Sequence, residues 1–87
     1  MSEASAALES AIMGLLVKRQ PGKTICPSEA ARVVYSAEKD WRSGMVEVRK
    51  VASDLAAQGL LEVTQGGQVV DIKCAKGAIR LRLPPTH

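Results

Sequence analysis

The periodicity of this chain changes once, at Gly59. Before it, apolar residues recur at three- and four-residue steps; after it they alternate. That order predicts helices followed by a β-hairpin, hence an α+β fold rather than a bundle or a barrel. Eighty-seven residues leave room for one core, so both kinds of element must share it.

From Ala4 to Arg19, the residues Leu8, Ala11, Ile12, Leu15 and Leu16 form one apolar stripe, with Lys18 and Arg19 at the negative end of the helix dipole. Gln20-Pro21-Gly22 stops this first helix, and Thr24-Ile25-Cys26 is long enough only for a bridging strand. Pro27 has the fixed backbone angle of a first helical position, and Glu29 places a carboxylate in the same turn. A short second helix therefore begins there, with Ala30, Val33, Val34 and Ala37 as its apolar face, before a polar break from Ser36 to Asp40. Asp40 is a suitable N-cap for a third helix from Trp41 to Gln58, which Gly59 ends. At about 100° per residue, Trp41, Met45, Val48, Val51, Ala52 and Leu55 fall on one arc and face the core. The opposite arc gathers Arg42, Arg49, Lys50 and Ser53, with Val46 and Ala57 between them and Glu47 and Asp54 toward one edge.

In the alternating part, a two-residue Gly66-Gly67 turn predicts a hairpin that pairs Val63 with Val70 and Leu61 with Ile72 on one face, and Glu62 with Asp71 on the other. Facing carboxylates repel. The strictly alternating segment from Ala78 to Leu83 offers a remedy: Ile79, Leu81 and Leu83 turn inward and leave Arg80 and Arg82 over the acidic pair. Residues 4–83 read as a single domain, and Pro84-Pro85-Thr86-His87 as a flexible tail.

Helix, short strand, two helices and a hairpin is the order of a winged helix-turn-helix, with the Gly-Gly hairpin as the wing. The chain further resembles an uncharacterised bacterial winged-helix family, domain of unknown function 3253 (DUF3253). The resemblance is carried by the run from Gly22 to Glu29, then Trp41-Arg42, Val48-Arg49 with Ala52 and Leu55, and Gly77-Ala78-Ile79-Arg80-Leu81. It covers most of the chain and implies the fold, but no activity, since a fold does not define a role.

Composition narrows the function. With Trp41 and Tyr35 as the sole aromatic residues, the core must be aliphatic, and no platform exists for stacking single-stranded bases. A net charge of +3 permits a polyanionic partner, and the placement of the cations must decide. In a recognition helix, Arg49 is the candidate base reader, Arg42 a phosphate or base contact, Lys50 a phosphate contact and Ser53 a backbone contact, so duplex DNA is the expected partner. The competing reading is a solvated helix face on a protein-interaction or dimerisation module. The wing tip, Gln65-Gly66-Gly67-Gln68, lacks the cation that many DNA-binding wings carry, and Lys73 and Lys76 are expected in a loop folded toward the end of the third helix, away from a groove-facing surface.

Catalysis is not expected. Ser28 has no histidine in the folded region to activate it, His87 belongs to the tail, and Gly66-Gly67 is too short to cradle a nucleotide. Cys26 and Cys74 lack the spacing of a zinc site and read as buried thiols, so neither metal nor cofactor is expected. The N-terminal residues do not resemble a signal peptide and no apolar run spans a bilayer, so the expected location is cytoplasmic.

Overall fold

In the computed structural model, residues 3–19, 23–35 and 41–84 are described. Their elements are helix α1 (Glu3–Lys18), strand β1 (Thr24–Ile25), helix α2 (Pro27–Val34), a 3-10 turn (Trp41–Gly44), helix α3 (Met45–Ala57), and strands β2 (Glu62–Gln65), β3 (Gln68–Val69) and β4 (Arg80–Arg82). The architecture is α+β and winged-helix-like: three helices packed on a small antiparallel sheet of order β1-β4-β2-β3. The expected helix stop at 20–22, the break at 36–40 with its cap Asp40, and the tail beyond Pro84 lie outside the described residues.

The core follows from the apolar stripes. Leu8, Ile12 and Leu16 of α1 and Val48, Val51, Ala52 and Leu55 of α3 are buried in one cluster with Ile25, Leu61, Val63, Ile79 and Leu81. In α2 the buried face is Pro27, Ala30 and Ala31, with Val34 packed at its edge, whereas Val33 is 55% exposed. The expectation for Val33 is corrected by helical geometry: positions 27, 30, 31 and 34 share a stripe that position 33 lies outside. Glu29 secures the start of α2 twice, accepting the Cys26 N–H at 2.7 Å and an ion pair from Arg19, which ties the end of α1 to α2.

The third helix begins differently from its prediction. Trp41–Gly44 winds as a 3-10 turn, and the α-helix proper starts at Met45. Its end is a Schellman motif: Gly59, at φ +76°, donates to Ala56 and Leu60 donates to Leu55, both at 3.0 Å.

The hairpin has the expected register, Gln65 opposite Gln68 and Thr64 opposite Val69, with the Val70 N–H on the Val63 carbonyl at 2.9 Å. Gly66 and Gly67 both have positive φ, as the primed turn requires. The ladder then ends early. Asp71 folds the chain on itself: its carboxylate accepts the Lys73 N–H at 2.9 Å and its carbonyl the N–H groups of Cys74 and Ala75. The expected strand pairing of Glu62 with Asp71 and Leu61 with Ile72 is therefore replaced by a turn, which leaves Cys74 exposed rather than buried, while Cys26 is half-buried; both thiols are free.

β4 lies between β1 and β2, so Ile25, Leu81 and Val63 align on the core face and Thr24, Arg82 and Glu62 on the outer face. Arg82 meets Glu62 at 2.8 Å, as its alternation implies. Arg80 instead bonds the Thr24 hydroxyl at 2.9 Å, because the acid expected beneath it is committed to its own turn. The Arg82–Glu62 side chains are only 28% and 25% exposed, and their coupling should reach about 0.5–1 kcal/mol. Urea denaturation of Arg82→Gln, Glu62→Gln and the double variant measures it: the double should lose less than the two single losses combined, and strict additivity would show the pair to be idle.

Candidate nucleic-acid interface

α3 has its apolar side against α1, α2 and β2, so the opposite side faces outward. The four residues expected there have different surroundings. Arg42 is exposed in the 3-10 turn, with its guanidinium 4.8 Å from the centre of the Trp41 ring. Arg49 is half-buried, and Val46, beside it on the outer arc, is 79% exposed.

Lys50 is exposed but borders a groove of about 640 Å³ between α1 and α3, where Glu9, Glu47 and Asp54 share the rim above Val51 and Leu55. Glu47 is held there by a hydrogen bond from the Ser5 hydroxyl of α1. Three carboxylates beside one ammonium make this the acidic flank of the helix, a poorer setting for a phosphate contact than the helical projection implies.

Ser53 is half-buried and lines a second, smaller groove of about 310 Å³ with Ala57, Ile72 and Lys73. The loop after the hairpin thus folds toward the end of α3, as expected, but Lys73 lies beside Ser53 rather than away from that surface. The wing tip carries glutamines and, next to them, Val69 at 57% exposure. Gln65 braces the loop that follows, its side-chain amide donating to the carbonyls of Lys76 and Ala78.

Arg32, on the exposed side of α2, completes the basic side of the surface: its guanidinium is 4.7 Å from the centre of the same Trp41 ring. Nothing in the local pattern marks it except its place outside the apolar stripe, since the contact joins two helices. Among the described residues, Arg32, Arg42 and Arg49 have no carboxylate within ion-pair distance, whereas Arg19 and Arg82 each do. Trp41 is half-buried, with its ring at the edge of the core.

Among the described residues, no group of three or more His, Cys, Asp or Glu is placed to hold a metal, and no helix is long and apolar enough to cross a membrane. Fold and surface together define an α+β, winged-helix-like protein with arginines clustered where its last two helices meet. The chain belongs to the family Protein of unknown function (DUF3253), whose model matches residues 5–84. No curated protein matches it.

Proposed function

We propose that this protein binds duplex DNA through the outer side of α3, as a bacterial, cytoplasmic regulator of transcription rather than an enzyme. The observation that carries the reading is the set of arginines at the α2–α3 junction without carboxylate partners among the described residues. In a helix-turn-helix the start of the second helix enters the major groove. Arg42 would meet the backbone near that entry, Arg49 a guanine edge, and Val46 a thymine methyl group. Lys50 and Ser53 would reach the backbone on either flank, Lys50 the less strongly because of its acidic neighbours.

A second reading, a protein-interaction module, is favoured by exposed Val69 beside an uncharged wing tip. One measurement separates the two. Anisotropy titration of a labelled duplex of roughly 20 base pairs should give a log–log salt slope of about −2 to −3, at −0.9 per phosphate neutralised. Arg49→Ala should lose about 1–3 kcal/mol on a preferred sequence. Flat titrations at low and moderate salt would end the DNA reading and leave the module.

A further inference from the structure

We infer that Arg32, Trp41 and Arg42 form a clamp for the phosphodiester backbone, in which the indole ring holds two guanidinium groups from different elements over one short stretch of strand. The inference rests on the duplex-binding reading and adds to it a second helix and a positioning residue.

Both guanidinium carbons lie within 4.8 Å of one ring centre, so they are less than about 10 Å apart. Like charges this close repel, and three of the four other arginines have polar partners: Arg19 has Glu29, Arg82 has Glu62, and Arg80 has the Thr24 hydroxyl and carbonyl. At Trp41 the described residues provide a π face and no carboxylate. A ring attracts a guanidinium through its face and leaves the N–H groups along the edge available. Those edges are the forked donors that bind phosphate oxygens in pairs. Stacking also restricts the arginine rotamers, so less ordering entropy is lost when the anion arrives.

A separation below about 10 Å is within the reach of one phosphate, or of two neighbours on a strand whose charges recur every ~3.4 Å along the axis. Arg32 belongs to α2, which in this fold lies across the backbone while α3 enters the groove. The clamp therefore acts without regard to sequence and sets how α3 enters.

The test is the salt dependence of duplex binding by the full chain, with thermal melting to confirm that each variant is folded. Arg32→Gln and Arg42→Gln should each make the slope shallower by roughly 0.9, about a threefold smaller loss of affinity between 50 and 200 mM salt, on every sequence tried. Trp41→Phe, which keeps a ring, should retain most of the wild-type slope, and Trp41→Leu, which keeps apolar bulk alone, should lose nearly as much as the two arginine changes together. Should Trp41→Leu fail to fold, the two exposed arginine variants still decide. An unchanged slope in Arg32→Gln, with binding lost in Arg49→Ala, overturns the clamp and spares the DNA reading; a wild-type chain that does not bind duplex overturns both.

Discussion

Leu81→Ala is expected to destabilise the protein by about 2–5 kcal/mol, the largest loss anticipated for any single truncation in the sheet. Leu81 is completely buried in β4, opposite Ile25 of β1 on one side and Val63 of β2 on the other. Both neighbours are tied by backbone ladders, so neither strand can move inward to fill the space left by an isobutyl group. The chain contains no phenylalanine, and its fully buried large side chains are all aliphatic apart from Thr64, so no fully buried ring adjoins the void. A domain of this size is stable by roughly 5–15 kcal/mol, so the loss is a large part of the whole. At about 4–8 °C per kcal/mol, the melting temperature should fall by roughly 8–40 °C. Thermal and urea unfolding check this, with Leu60→Ala, at a 41% exposed site, as a control that should lose far less. A Leu81→Ala loss below about 1 kcal/mol would mean that the central strand relaxes freely, contrary to the packing described.

Gly44→Ala is expected to destabilise the protein by about 1–3 kcal/mol, although helix propensity alone predicts the opposite sign. The backbone at Gly44, φ −82° and ψ −7°, suits any residue. The obstacle is the Tyr35 ring: a methyl group at position 44 would lie 2.3, 2.7 and 2.9 Å from its Cε2, Cδ2 and Cζ atoms. Tyr35 packs against the core at the end of α2, so its ring can yield only by leaving that packing or by pushing the 3-10 turn away. In a Tyr35→Ala background the overlap disappears, and Gly44→Ala should become neutral or stabilising by up to about 1 kcal/mol. The double-mutant cycle is the decisive measurement. Stabilisation by Gly44→Ala in the wild-type background would show that the ring moves without cost. Because this contact sets the approach of the 3-10 turn to α2, it also bears on where Arg42 and Arg32 meet over Trp41.

Several elements were legible in the chain because they depend on local geometry. The stripe of Leu8, Ile12 and Leu16 and that of Val48, Val51, Ala52 and Leu55 are properties of a single helix, and both are buried as their spacing requires. Gly66 and Gly67 supply the positive φ that a tight primed turn requires, and the register of Gln65 with Gln68 follows from that turn. Other features depend on competition between residues far apart. Asp71 accepts the Lys73 N–H within its own turn while Glu62 takes Arg82 from β4, so the two carboxylates find partners in different parts of the chain rather than face each other.

The candidate surface divides in the same way. The sidedness of α3, which keeps Val46 outside and Val48 inside, follows from its own sequence, because a helix of fixed pitch orders its side chains about its axis whatever surrounds it. The identity of the neighbours does not. Glu9 of α1 joins the rim that makes Lys50's flank acidic, the loop after the hairpin brings Lys73 beside Ser53, and α2 brings Arg32 over Trp41. Those meetings exist only once three helices and a sheet close on one core, since the potential at each cation is the sum over charges that the chain separates by many residues and packing draws together.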